Sequence, residues 1–250
     1  MIPIFRSNYS LTSILTLDAP SKDLDKIENR PDSVFDIAIK NNLTEVFIVD
    51  NTLSGLVEAY ENAKKSEVNL RFGYRVNVCN SLDVKTEDYK KTESKFIIFA
   101  ANESFKDLIH LHNISCTSGL LNGSPRLDFD QLRLNWSNNL MLGVPFYDSY
   151  LHFNSLYGRE CVPQIDFTDP WYFSEDNSLP FDNILNQHLN SVVKPERIIK
   201  SKTIYYNRKK DFKAYMTYRC ILNRTTFQKP NLNHFGSDEF CMESFLNNER

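Results

Sequence analysis

The chain has 250 residues, of which 41% are hydrophobic and 24% are charged, and its net charge is −3. This length suits one large domain or two small ones and allows a sizeable buried core. The balance of charge excludes a global basic field that would attract nucleic acid, and no apolar run is long enough to cross a bilayer, so no membrane contact is expected.

The cysteines and glycines narrow the possible chemistry. No two of the five cysteines form a C-x-x-C pair, so a cysteine-based zinc knuckle is excluded. Their odd number and scattered spacing are typical of reduced thiols, and the first residues lack the features of a signal peptide, so we expect a cytoplasmic protein. The seven glycines form neither a Walker-type phosphate loop nor a dinucleotide-binding fingerprint.

Strand and helix patterns alternate from the start of the chain. Residues 3–6 predict a short strand, and the continuous apolar run EVFIV at 45–49 is typical of a strand buried on both faces. Between them, Asp32 is expected to cap a helix. The side chains expected on its buried face are Val34, Phe35, Ala38 and Ile39. Those expected on the buried face of the following helix are Leu56, Val57, Tyr60 and Ala63.

The same alternation continues beyond this helix. Residues 69–78 predict a strand with a break at Gly73, and residues 95–101 predict another buried strand. Residues 103–113 predict an amphipathic helix, and a short helix is expected from Asp128. The side chains expected on one side of the 103–113 helix are Phe105, Leu108, Ile109 and His112. Further strands are expected at 139–144 and within 195–206.

Regular strand–helix alternation favours a mainly parallel sheet or a barrel. We expect a single domain over residues 1–250. With about seven strands, closure into a barrel is favoured, and an open doubly wound sheet is the alternative.

Few side chains suggest a catalytic or metal site from their position in the sequence. Asp50 ends the 45–49 strand, where α/β enzymes often hold their chemistry, but a structural carboxylate paired with an arginine or lysine is favoured. His110 and His112 cannot share a metal ion on a helix, because side chains two residues apart point in nearly opposite directions.

Two kinds of segment suggest surfaces for binding. Aromatic residues are dense at 145–158 and 169–181, which we treat as interface candidates. A local basic patch could contact DNA or an acidic partner, although a solvated face is favoured. Its members are Lys194, Arg197, Lys200, Lys202, Arg208, Lys209, Lys210 and Lys213.

Several segments together resemble the PHP (polymerase and histidinol phosphatase) domain of the bacterial DNA polymerase III α subunit, in order and in spacing. The segments that carry the resemblance are FRSNYSLTSI (5–14), EVFIVDNTLSGLVEAYENAKK (45–65), LRFGYRVNV (70–78), FIIFAANESFKDLIHLHNIS (96–115), SPRLDFDQL (124–132), NLMLGV (139–144) and RTTFQKPNLNHFGSDEFCMESF (224–245). The resemblance implies an α/β fold, a distorted seven-stranded (βα)7 PHP-type barrel.

The resemblance also implies a metal site, because His, Asp, Glu and Cys side chains at the strand ends of active PHP domains hold a metal cluster. The main positions of this chain that match those ligands are Ile4, Arg6, Asp50, Asn51, Arg75, Lys95, Thr203 and Tyr205. Only Asp50 remains a plausible ligand, and three positions carry cations, so we infer that the metal cluster is lost. We expect Asp50 to serve as counter-ion to Arg6, Arg75 and Lys95.

The resemblance then implies a function in replication. We expect a non-catalytic scaffold of a DNA replication complex that binds a polymerase or a proofreading exonuclease subunit, with no enzyme activity, no catalytic residue and no cofactor. It would be a split-off or truncated N-terminal domain of a polymerase III α-type subunit from a phage or a bacterium. The alternatives are a PHP-type metal-dependent phosphoesterase or exonuclease with a rearranged site, and a decoy that inhibits a host replicase.

Overall fold

The structure is a computed structural model that describes residues 1–21, 30–85, 87–101, 105–226 and 236–248. The strands are β1 (Ile2–Phe5), β2 (Glu45–Asp50), β3 (Asn69–Cys79), β4 (Ser94–Ala100), β5 (Arg126–Asp128), β6 (Leu140–Val144), β7 (Trp171–Ser174) and β8 (Ile198–Ile204). The α-helices are α1 (Val34–Lys40), α2 (Leu56–Lys65), α3 (Phe105–Thr117), α4 (Phe129–Leu134), α5 (Tyr150–Tyr157), α6 (Asp182–Val192), α7 (Phe212–Asn223) and α8 (Met242–Asn248).

The strands pair in the order β2-β1-β8-β7-β6-β4-β3-β5, and an additional pairing joins β2 to β3. The first seven strands of this order therefore close into a ring, and β5 is one extra strand on β3. This topology confirms the expected seven-stranded (βα)7 PHP-type barrel. The closing β2–β3 pairing rules out the open doubly wound sheet.

One strand runs against the direction of its neighbours. β4 is antiparallel to both β3 and β6, whereas β1 with β2, β1 with β8 and β6 with β7 are parallel. Antiparallel neighbours need no crossover helix, and only a short 3-10 helix, Glu87–Thr92, is described between β3 and β4. The sequence pattern did not anticipate this reversal, because a buried strand is continuously apolar in either direction.

The chain divides into two compact units, which are described separately below. Unit 1 comprises Met1–Phe72, Glu175–Asp182 and Ser201–Arg250, and unit 2 comprises Gly73–Ser174 and Asn183–Lys200. The expectation of a single domain over residues 1–250 stays a prediction. No helix of the described chain is both long enough and apolar enough to cross a membrane.

Helix ends and faces in unit 1 differ in detail from the sequence pattern. Ser33, not Asp32, caps α1, and its hydroxyl accepts a hydrogen bond from the Phe35 N–H at 3.2 Å. In α2, Val57 is 68% exposed. The α2 side chains that are buried are Leu56, Ala59, Asn62 and Ala63. Residue 57 lies about 100° around the helix from residue 56, and this rotation turns it out of the buried stripe.

In unit 2, β3 runs without a break through Gly73. A Cβ at this position would lie 2.7 Å from both Ile97 Cγ2 and Phe99 Cε1, so the glycine is needed for close packing and not for a bend. In α3, Leu108 and Leu111 are buried, whereas Ile109 is 42% exposed. Residues 103 and 104 of the expected helix lie outside the described residues.

A side chain at Gly73 should overpack unit 2. We expect Gly73→Val to lower the free energy of unfolding by about 1–3 kcal/mol, because Ile97 and Phe99 must leave their favoured positions. Urea denaturation measures this change. The control is Leu134→Ala, since Leu134 is 79% exposed and truncation there should change stability by less than about 0.5 kcal/mol. Equal stability of Gly73→Val and the wild type would contradict the close approach.

Candidate functional site

Parallel pairing in unit 1 brings the carboxyl ends of three strands to one edge. Ile4 of β1 pairs with Phe47 of β2 and with Thr203 of β8. The side chains that end or follow these strands therefore lie close together. We call this group, with one carboxylate from the segment after β7, the strand-tip cluster. Its members are Arg6, Ser7, Asp50, Asn51, Glu175, Thr203 and Tyr205.

Asp50 is fully buried at the end of β2. Its Oδ1 accepts hydrogen bonds from the Ser7 backbone N–H at 3.0 Å and from the Ser10 hydroxyl at 2.9 Å. Its Oδ2 accepts a hydrogen bond from the Ser7 hydroxyl. Neutral donors of the turn after β1 therefore satisfy this carboxylate, and it holds that turn against β2.

Arg6 is also buried, and its guanidinium is directed to neutral oxygens. Its Nη2 donates to Asn51 Oδ1 at 2.8 Å and to Thr12 Oγ1 at 3.3 Å. Within the described part of the chain, no salt bridge joins Arg6 to Asp50. The Asp50 carboxylate thus binds Ser7 and Ser10, whereas the Asn51 amide oxygen binds the Arg6 guanidinium.

In unit 2, Arg75 forms an ion pair with Asp148 at 2.7 Å, and the backbone N–H of Lys95 donates to the Asp148 carbonyl at 2.9 Å. The ion pair expected between Asp50 and Arg6 is therefore not found among the described salt bridges of unit 1, whereas the expected role of Asp50 as counter-ion to Arg75 and Lys95 stays a prediction.

Glu175 is a buried strand-tip carboxylate that the sequence analysis missed. It follows β7, and it accepts hydrogen bonds from the Thr203 N–H at 3.0 Å, the Thr203 hydroxyl at 2.6 Å and Asn177 Nδ2 at 2.8 Å. Burial raises the pKa of Glu175 despite these donors. The available signal was its place directly after the aromatic segment WYFS, which parallels the place of Asp50 after EVFIV.

Lys202 in unit 1 is only 1% exposed. Its Nζ donates to the Asp176 carbonyl at 3.2 Å and lies 3.8 Å from Glu239 Oε2. Burial lowers the pKa of Lys202, and the charges of Glu239 and Glu175 oppose that shift. This lysine was expected in the basic patch, but its burial removes it from any surface.

The other members of the basic patch are divided between the units and partly neutralised. Lys194, Arg197 and Lys200 belong to unit 2, and the remaining members belong to unit 1. Those with acidic partners are Arg197 with Asp169, Arg208 with Asp211, and Lys209 with Glu239. Those that are exposed without a described salt bridge are Lys194, Lys200, Lys210 and Lys213. DNA contact stays a prediction that no observation supports.

The residues at the strand tips do not fit the metal cluster that the PHP resemblance implies. Ile4 has no donor atom, and Arg6 is a permanent cation. The oxygens of Asp50 and Glu175 are already occupied by hydrogen-bond donors. Among the described residues, no group of three or more His, Cys, Asp or Glu side chains is arranged to hold a metal ion.

The two histidines of α3 are separated as the helical pattern predicted. His110 is exposed, and its Nε2 lies 3.1 Å from Asn135 Oδ1. His112 is half-buried, with its ring 5.0 Å from that of Tyr74, and burial lowers the pKa of His112. The helix confirms that they cannot bind one ion together.

No protein-family profile matches the sequence, and no curated protein matches it. The chain is similar in structure to a solved protein from Bifidobacterium adolescentis that is described as a "putative metal-dependent phosphoesterase". The two share 9% sequence identity with a TM-score of 0.37, and the alignment covers 98% of this chain and 95% of the other.

The expectation that the chain is not an enzyme needs correction. The solved protein to which the chain is similar is described as an enzyme. The side chains at the strand tips do not form the metal cluster that the PHP resemblance implies. Catalysis by other means is a separate property of the chain.

Asp50 should stabilise unit 1 through its hydrogen bonds with Ser7 and Ser10. We expect Asp50→Asn to lower the free energy of unfolding by about 1–3 kcal/mol, because an amide turns N–H groups toward groups that need an acceptor. Urea denaturation at neutral pH measures the loss. Lys213→Gln, at an exposed position in α7, is the control and should change stability by less than about 0.5 kcal/mol. A loss no larger than that of the control would refute the role of Asp50.

Glu175 should make stability depend on pH. Its folded pKa is raised, so its favourable contribution is present below the unfolded pKa near 4.5 and is lost as pH rises through the folded pKa. We therefore expect the stability of Glu175→Gln relative to the wild type to increase between pH 5 and pH 8. Chemical denaturation at both pH values measures the difference, with the exposed Glu61→Gln as control. A difference that stays constant, or that decreases, would show that Glu175 does not titrate in this way.

Proposed function

We propose that this chain works by binding a polymerase or a proofreading exonuclease subunit in a DNA replication complex. The ordered segments that resemble the PHP domain of polymerase III α subunits support this context. The observation that carries the proposal is an exposed apolar surface at the end of α5 in unit 2. Its residues are Leu156, Tyr157 and Val162, and we call it the α5 surface.

The α5 surface has the composition of an interface. Tyr157 is 57% exposed, and Val162 is 62% exposed. Asn154 bonds both the N–H and the carbonyl of Cys161, which holds residues 161 and 162 against α5. Exposed aromatic and aliphatic side chains on an ordered support are typical of protein–protein contacts.

Packing beneath this surface restricts the aromatic ring. The Tyr157 ring makes edge contacts with His152 at 5.4 Å and with Phe153 at 6.0 Å. An aromatic anchor that is already ordered loses little entropy on binding. Within the expected interface segment 145–158, Phe146 and His152 are buried and therefore belong to the core. In the second expected segment, 169–181, Phe173 and Leu179 are core residues.

Affinity purification from the native cell, with identification of the captured proteins by mass spectrometry, tests the proposal. We expect polymerase or exonuclease subunits at near-equal stoichiometry with the tagged chain. With the purified partner, Tyr157→Ala should weaken binding at least about tenfold, because it removes a central aromatic anchor.

Leu134→Ser is the matched control, because Leu134 is also an exposed apolar residue of unit 2 and should leave affinity unchanged. Recovery of no replication subunit would contradict the proposal, and equal binding by Tyr157→Ala would contradict the α5 surface. A polymerase assay with the captured complex then separates a component that supports synthesis from a decoy that inhibits it.

A second candidate function is phosphoester hydrolysis at a rearranged site, and it requires a metal ion to displace the hydrogen-bond donors that occupy Asp50 and Glu175. Metal analysis of the purified protein and a phosphatase assay with Mn²⁺ and Zn²⁺ test it. This function requires stoichiometric metal and activity that is lost in Asp50→Ala. Protein that stays free of metal and inactive with both ions would contradict it.

A further inference from the structure

Unit 2 contains a buried arginine, Arg126, of which two guanidinium nitrogens have no hydrogen-bond acceptor among the described residues. Arg126 begins β5, pairs in register with Asn77 of β3 and is only 2% exposed. Its Nε and Nη1 have no hydrogen-bond acceptor in the part of the chain that the structure describes. The contact given for its guanidinium is the Tyr89 ring, at 5.3 Å from the centroid. A guanidinium keeps its charge at all ordinary pH values, so this burial calls for a compensating group.

The consecutive residues Thr92 and Glu93 each carry a buried oxygen that has no hydrogen bond within the described part of the chain. Thr92 Oγ1 and Glu93 Oε1 are buried with no hydrogen bond to any described residue. Glu93 lies within electrostatic reach of Arg126, and burial raises the pKa of Glu93. Native proteins pair nearly all buried polar atoms, so a group of such atoms in one place indicates a missing ligand or water.

The charges around this group favour an anion over water. Four cations act on the Glu93 carboxylate, and these are Lys90, Lys95, Arg126 and Arg159. The nearby Asp128 carboxylate is committed to the backbone N–H groups of Leu82, at 3.3 Å, and Gln131, at 2.8 Å. Water would supply hydrogen bonds without adding negative charge, whereas an anion would also bring a charged acceptor to the buried Arg126 guanidinium.

We propose that Arg126, Thr92 and Glu93 form a binding site for a small oxyanion of the hydrogen-phosphate class. Its unprotonated oxygens accept from Arg126 N–H groups and from the Thr92 hydroxyl. Its P–OH group donates to Glu93 Oε1. Binding breaks no covalent bond. The residues of this oxyanion site are separate from those of the α5 surface, so the oxyanion proposal does not rest on the proposed function.

Phosphate binding by the whole protein tests the site. The protein is dialysed into a chloride buffer and titrated with inorganic phosphate at constant ionic strength, with calorimetry and thermal unfolding as the readouts. We expect saturable binding and a rise in Tm of about 3–5 °C at ten times the dissociation constant. Chloride should give no shift, and sulfate, which carries no proton at pH 8 to donate to Glu93, should bind about tenfold more weakly.

Variants locate the site. Arg126→Met should abolish saturable phosphate binding while still folding, because it replaces an uncompensated buried charge with an apolar side chain. Arg133→Met is the control, since Arg133 is a partly exposed arginine of unit 2 paired with Asp166, and it should retain the full shift. If Arg126→Met does not fold, Thr92→Val should weaken phosphate binding at least about fivefold.

A comparison with methyl phosphate at about pH 6, where a large share of this monoester still carries a P–OH group that can donate to Glu93, identifies the source of the anion. Binding of inorganic phosphate without methyl phosphate assigns the site to the free ion, and binding of both assigns it to the end of a phosphate monoester. Each result supports the proposal. No saturable binding by the wild type, as expected if the space holds only water, overturns it. Binding by Arg126→Met or by Thr92→Val equal to that of the wild type also overturns it.

Discussion

The contact of the Asp50 carboxylate with Ser7 and Ser10 is the interaction on which the strand-tip cluster depends. β1 and β2 are parallel and in register, so the turn after β1 meets the end of β2. The buried carboxylate accepts one backbone N–H and two hydroxyl groups there. These donors satisfy the buried carboxylate without a metal ion or a cation. The Arg6 guanidinium donates to Asn51 Oδ1 instead.

Local hydrogen bonds account for the buried polar side chains at this edge. Arg6 stabilises Asn51 and Thr12, and Glu175 holds the backbone and hydroxyl of Thr203. Each group has a partner close by, as buried polar groups require. The barrel therefore keeps ordered strand ends although these residues do not form the metal cluster of active PHP domains.

Buried charges in the two units are compensated to different degrees. In unit 1, Lys202 has the Asp176 carbonyl and the Glu239 carboxylate, and Glu175 has three donors. In unit 2, Arg126 has the Tyr89 ring and no described hydrogen bond. The first arrangement is complete with protein groups, whereas the second acquires its missing acceptors from a bound oxyanion in the site that we propose.

The sequence by itself determined the alternation of strands and helices, the barrel, and the place of Asp50 at a strand end. It could do so because apolar runs and helical periodicity are local, and because the ordered resemblance to PHP domains spans nearly the whole chain. It also predicted that His110 and His112 point apart, which follows from helix geometry.

Only the tertiary structure decided the reversed direction of β4, the exposure of Val57 and the partners of Arg6, Arg75 and Lys202. These depend on which surfaces meet across long separations in sequence. Composition does not reveal whether a lysine is solvated, as Lys200 is, or buried, as Lys202 is, since both lie on one face of the same strand and burial depends on what packs against each position along it. The missing partner of Arg126 is visible for the same reason, because only the folded chain shows which polar atoms water cannot reach.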